Sequence, residues 1–156
     1  MILDKENCVF MSAVLFFLFF VISIISFLFF SDGRVKRTMF FLSEKSHILV
    51  GESRQLPVMS TREEDVRVLM EDLILGPFNI NNTAILPEGT RINSLFLRKK
   101  VLYIDLSDES VIFQHNVQIS FSKICKGIEK TLRFNFPWIK KIQFSIHGEP
   151  VVFFDK

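Results

Sequence analysis

The sequence predicts an α+β fold: a two-layer sandwich with two helices packed on one face of a small mixed sheet, plus one N-terminal transmembrane helix. Three observations predict it. The run CVFMSAVLFFLFFVISIISFLFF, residues 8–30, contains no charge, Pro or Gly. Two later segments place apolar residues at helical spacing, each opposite a charged face. Strand-like segments surround them in the order β-α-β-β-α-β. Both helices have one apolar face and the last strand is polar on one side, so the helices layer on one face of the sheet and leave the other partly exposed. A chain of 156 residues holds one modest domain of this kind.

Residues 1–7 form a polar flank, 8–30 the membrane helix, 31–36 a linker and 37–156 the domain. At ~1.5 Å per residue the run extends ~34 Å, enough for a hydrocarbon core of ~30 Å. A secretory signal has a shorter apolar region, a basic start and small residues at its cleavage site. Here Asp4 and Glu6 surround a single Lys5, and large Phe residues close the run. The expectation is an uncleaved anchor. Arg34, Lys36 and Arg37 follow it directly, and the positive-inside rule applied to that flank places the domain in the cytoplasm.

In the domain, residues 38–42 (TMFFL) and 47–50 (HILV) read as strands joined by the polar turn SEKS, and GESRQLPV leads on to a helix. In TREE, Thr61 caps this helix and Glu64 can reach back to the cap amide. Val66, Leu69, Met70 and Leu73 form its apolar face, Glu63 and Arg67 an i,i+4 pair, and Gly76 with Pro77 its end. TRINSLFL (90–97) and VLYIDL (101–106) make a hairpin around RKK. The second helix covers 119–134, burying Phe121, Ile124, Cys125, Ile128 and Leu132. In KIQFSIHG (141–148), Ile142, Phe144 and Ile146 alternate with polar residues.

This chain offers little catalytic chemistry. His47, His115 and His147 lack metal-ligand spacing with one another or with Cys. Asp105, Asp108 and Glu109 could serve acid–base work or bind a cation, but at a strand end they read first as turn and capping residues. Cys8 and Cys125 do not form a pair within the domain, and Cys125 reads as a small buried hydrophobe. There is no nucleophile elbow, P-loop or dinucleotide fingerprint. The sequence therefore predicts no catalytic residue, no metal site and no cofactor.

Surface charge is the stronger feature. Lys123, Lys126, Lys130 and Arg133 recur at spacings of 3, 4 and 3 along the second helix, a stripe suited to anionic lipid, an anionic wall polymer or an acidic protein surface. The bland alternative is a solvated face near a helix C-terminus. Glu63, Glu64, Asp65, Glu71 and Asp72 on the first helix are an acidic complement through which copies could meet head to tail. A net charge of only +2 and the anchor argue against nucleic acid.

Taken in order, Leu75–Pro77 (Leu-Gly-Pro), Leu86–Thr90 (LPEGT, with Leu86, Pro87, Gly89 and Thr90), Ile104–Ser107 (with Asp105, Leu106 and Ser107), Thr131–Leu132 and Gly148 resemble the GerMN domain of sporulation and spore-germination proteins. The likeness spans residues 37–151. It departs from the family in NINNTAI (79–85) and in having a single domain copy. The resemblance implies an extracytoplasmic, membrane-tethered, non-enzymatic domain, similar to ring-building domains that pack a helix against a neighbour's sheet. It implies an assembly or scaffolding module on a single-pass protein of the bacterial inner membrane, with protein partners or self-association. The alternative is an envelope enzyme or accessory subunit acting on wall polymer. No germination role is carried over.

Overall fold

A computed structural model of the chain describes residues 5–29, 33–111 and 120–151. The chain divides into two compact units, Met1–Gly33 and Arg34–Lys156.

The first unit is helix α1 (Lys5–Phe29), which takes in three residues of the polar flank. Its segment Val9–Phe27 is long and apolar enough to cross a membrane and buries none of its surface in the protein. Side chains such as Phe16 and Phe19 are more than 70% exposed.

The second unit opens with a hairpin of β1 (Arg34–Ser43) and β2 (Leu49–Pro57), paired antiparallel from Arg34↔Pro57 to Leu42↔Leu49. Both strands exceed the lengths expected from the sequence. β2 runs through GESRQLP, which reads locally as a link because Glu52 and Arg54 fall on the inward face where alternation calls for apolar side chains. Helix α2 (Arg62–Ile74) follows, with Thr61 Oγ1 accepting the Glu64 N–H at 3.2 Å and Val66, Leu69, Met70 and Leu73 fully buried. The return half of the capping box does not form. Glu63, expected to pair with Arg67, instead accepts the Leu97 N–H at 2.9 Å.

β3 (Asn82–Thr83), within NINNTAI, pairs with Leu42 and Ser43 of β1. β4 (Ile92–Arg98) and β5 (Val101–Leu106) form a hairpin whose two turn residues, Lys99 and Lys100, have φ of 51° and 68°. After a 3-10 turn (Asp108–Val111), helix α3 (Phe121–Asn135) begins two residues later than expected and ends one later; Ile119 lies outside the described residues. Its inward residues Ile124, Cys125, Ile128 and Leu132 are buried as predicted. β6 (Lys141–Ile146) then pairs parallel with β5, and β7 (Glu149–Pro150) turns back across His147 and Gly148.

The class and element order are those expected, but the strands divide into two sheets, β2-β1-β3 and β4-β5-β6-β7. The division has a local cause. On the side of β1 away from β2, the Phe40 N–H donates to Thr131 Oγ1 and the Thr38 N–H to Asn135 Oδ1, both on α3, and β3 covers the far end. With the Thr38 and Phe40 groups taken by α3 and the far end by β3, this stretch of the β1 edge is closed to β4–β7. Helix α2 packs against β1, β2 and β4, so Leu69, Met70 and Leu73 bridge the sheets. Met39, Phe41, Leu102, Ile104, Ile128 and Leu132 complete one continuous core.

Candidate functional site

The motif residues separate into three places. The first is the end of the four-stranded sheet where β4 begins and β5 and β6 finish. Pro87 starts a β-turn in which its carbonyl accepts both the Thr90 N–H and, at 2.7 Å, the Thr90 hydroxyl. Gly89 takes φ +84°, as the third residue of a type II turn requires. Leu86 and Thr90 are buried, which seats the turn on the core. Ser107 then locks the start of β4: its N–H donates to the Arg91 carbonyl and its hydroxyl accepts the Arg91 N–H, each at 3.0 Å.

Asp105 ties the same end together. Its Oδ1 accepts the Gly148 N–H at 2.8 Å and its Oδ2 the Asn93 side-chain amide at 3.1 Å. Burial opposes ionisation of this carboxyl, but hydrogen bonds from Ser145, Gly148 and Asn93, with His147 nearby, outweigh it and hold the pKa below the ordinary carboxylate value. The neighbouring Leu106 is fully buried, and its carbonyl accepts the His147 N–H. Glu109 is also held low, chiefly by the Ser107 hydroxyl. Asp108 and His147 are exposed and 3.9 Å apart. Asp105 and Glu109 are joints between a turn, two strands and a hairpin, Asp108 stays at the surface, and among the described residues the three form no group placed to hold a metal ion.

The second place was not visible in the sequence. Arg54 is 7% exposed and donates to Glu52 Oε1 from Nε and Nη2, to Asp72 Oδ2 at 3.0 Å and to the Gly76 carbonyl at 2.6 Å. Its guanidinium lies 3.7 Å from the centroid of the Phe78 ring. Glu52 in turn accepts the N–H groups of Phe78 and Asn79. Burial pushes the Glu52 pKa up, but the Phe78 amide, Arg54 and the Asn79 amide bring it below its ordinary value. Gly76, at φ +87°, turns the α2 terminus so that its carbonyl meets Arg54, and Pro77 starts the next loop. The Gly-Pro motif is thus the helix end that a buried arginine grips.

The third place is α3. Thr131 and Leu132 are buried, and Asn135 imitates a strand by accepting from the Thr38 N–H and donating to the Thr38 carbonyl at 2.6 Å. Arg37 donates to the Asn135 carbonyl, reaches Asp65 at 3.5 Å and covers the Phe136 ring, joining the end of α3 to the start of α2. On the opposite face the basic stripe is exposed but not uniform. Arg133 pairs with Glu129 at 2.7 Å, and Lys130 Nζ stands 4.3 Å above the Phe40 ring. Lys123 and Lys126 are exposed and have no partner among the described residues.

Among the described residues no group of three or more His, Cys, Asp or Glu is placed to hold a metal ion. Cys125 is 4% exposed and burial pushes its thiol up to about 12, well away from a reactive thiolate. His47 occupies the β1–β2 turn at φ 52°, and His115 lies outside the described residues.

The geometry therefore defines an α+β domain whose recurrent polar residues build turns, a helix end and a covered sheet edge. A family profile described as Germane, sporulation and spore germination, matches residues 38–152, and the chain belongs to that family. The fold is that of the first GerMN domain of the sporulation protein GerM from Bacillus subtilis, with a TM-score of 0.57 at 22% identity over 75% of this chain and 86% of that one. The tandem GerMN domains of the same protein give a TM-score of 0.54 at 19% identity, over 76% of this chain and 41% of that one. No curated protein sequence matches the chain.

Proposed function

We propose that this protein is a single-pass, membrane-anchored, non-catalytic assembly module of the bacterial envelope, with α1 as its anchor and the Germane domain outside the cytoplasm. The observation that carries the reading is how the polar residues are used. Asp105, Ser107, Thr131 and Arg54 are consumed in intramolecular bonds, whereas several exposed charges on α2 and α3 have no partner among the described residues. Lys123 and Lys126 face solvent on α3, and Glu64 and Glu71 do so on α2. Opposite charge on two separate faces suits head-to-tail contact with a neighbouring protein surface and steers encounter.

Cross-linking in native membranes tests this. The wild-type chain is expected to capture itself or an envelope protein, and reversal of Lys123 and Lys126 to Glu to reduce capture. A chain that captures nothing overturns the reading. A topology reporter fused after Lys156 tests the orientation separately, since the basic flank Arg34, Lys36 and Arg37 favours the opposite one.

A further inference from the structure

The two ends of the four-stranded sheet carry opposite charge. Where β4 begins and β5 and β6 finish stand Glu88, Asp105, Asp108, Glu109 and Glu149, with Arg91 paired to Glu109. At the other end Arg98 closes β4, Lys99 and Lys100 form the turn, and Lys140 and Lys141 lead into β6. The Lys100 carbonyl gathers these into one patch by accepting the N–H groups of Lys140 and Lys141, at 2.9 and 3.4 Å. All five side chains are exposed, and none has an ion-pair partner among the described residues. The carboxylates nearby are mostly taken: Glu63 by the Leu97 N–H, Asp65 by Arg37 and Glu129 by Arg133, which leaves Glu64.

Two of these lysines hold a costly backbone conformation. Lys99 and Lys100 take φ of 51° and 68°, a region that Asn-Gly would occupy with far less strain. Strain kept at such a turn points to a use for the charge.

The patch lies at the end of the domain where the chain enters. Arg37, three residues after the start of β1, donates to the Asn135 carbonyl at the end of α3 and covers the Phe136 ring. Trp138 packs against Phe136 at 5.6 Å and lies 5.3 Å from the Arg62 guanidinium, two residues before Lys140. In the sequence, only residues 30–33 separate α1 from β1.

We propose that this end of the domain docks on anionic phospholipid headgroups, with Arg98, Lys99, Lys100, Lys140 and Lys141 as its contacts and Trp138 at its border. The entry of an anchored chain at the same end selects lipid as the occupant. The sheet's charge selects the face, since the opposite end would set the Asp105, Asp108 and Glu109 carboxylates against the same headgroups. A half-buried Trp beside a cation is a side chain suited to headgroup level. The docking rests on α1 as the anchor proposed above. It goes beyond the assembly function by fixing which end of the domain meets lipid, and it leaves Lys123 and Lys126 to protein partners.

Trp138 is the only Trp in the chain, so its fluorescence reports this surface alone. The test uses the full chain reconstituted in phosphatidylcholine vesicles carrying a headgroup nitroxide, with or without about 30% phosphatidylglycerol. Wild type is expected to show stronger Trp138 quenching with phosphatidylglycerol, reversed by about 0.5 M salt, where the screening length falls to ~4 Å. Each lysine at an anionic surface raises the ratio of docked to undocked domain about fivefold, so Lys99→Asn with Lys100→Gly should lower it about 25-fold and remove most of the added quenching. That variant suits the turn, and a melting temperature at or above wild type verifies its fold. Lys140→Gln with Lys141→Gln should lose the added quenching likewise, whereas Lys123→Glu with Lys126→Glu should quench no less than wild type.

Equal quenching in both vesicles, undiminished quenching in the Lys99 and Lys100 variant, or its loss in the Lys123 and Lys126 variant overturns the proposal. Flotation with neutral vesicles at high salt reads the anchor by itself. Cross-linked capture that persists when the quenching fails leaves the assembly function standing.

Discussion

Arg54 illustrates how one side chain can set the position of several segments. It is a cation held on a strand's inward face by two carboxylates, a helix-terminal carbonyl and an aromatic ring. Removing one member of such a buried set leaves charges without partners, a loss of about 3–5 kcal/mol. Arg54→Ala should therefore melt far below wild type in a thermal scan of the detergent-solubilised chain, whereas Lys36→Ala on the outer face should not. Asp105 acts at the same scale and gives a pH dependence. Its folded pKa is lowered, so the unfolded chain takes up its proton first as pH falls. Its contribution is complete above the ordinary carboxylate value of about 4 and is lost as pH drops through the lower folded value. Asp105→Asn should lower the melting temperature at neutral pH and flatten its decline below about pH 5. An Asp105 substitution made to look for acid–base chemistry therefore loosens the fold as well. The exposed Asp108 is the cleaner probe, and its change to Asn should leave both melting and partner capture unaltered.

At the scale of elements, the informative contact is a helix completing a strand. Thr131 and Asn135 lie one turn apart on α3 and meet alternate residues of β1, Phe40 and Thr38. Thr131→Val keeps the shape but leaves the Phe40 N–H without its acceptor, at a cost of about 1–3 kcal/mol. Hydrogen exchange should report it as faster exchange at Phe40, while β5 amides stay protected. The β4–β5 hairpin offers the reverse change. Lys99 and Lys100 both hold positive φ, a region that Asn and Gly occupy at little cost. Lys99→Asn with Lys100→Gly should raise the melting temperature, by roughly 1–2 kcal/mol of stability. The hairpin itself was legible in sequence because two β-rich runs flank a polar tip. Helix α2 was legible because Thr61 and four apolar residues at helical spacing are local signals. The length of β2 was not legible, since Glu52 and Arg54 interrupt the alternation and only their partners on α2 and in the 76–79 loop make their burial tolerable.

At the scale of the whole molecule, a membrane-length helix precedes a domain with separate acidic and basic helix faces. If those faces meet neighbouring proteins, capture should weaken as salt rises from about 0.05 to 0.5 M, as the Debye length contracts from roughly 14 to 4 Å. The Lys123→Glu, Lys126→Glu double variant should lose that salt dependence while its melting temperature stays at the wild-type value, because neither lysine has a partner among the described residues. A fall in melting temperature would show instead that the stripe serves the fold.

The sequence by itself determined the anchor-length helix, the α+β class, the order of elements and the family, because each depends on local periodicity, caps or turn chemistry. Only the tertiary structure decided that the strands form two sheets and that Asp105, Gly76 and Thr131 serve as joints. Those outcomes depend on hydrogen bonds between residues as far apart as Thr38 and Asn135, and a main-chain group carries no mark in the sequence of which distant side chain will satisfy it.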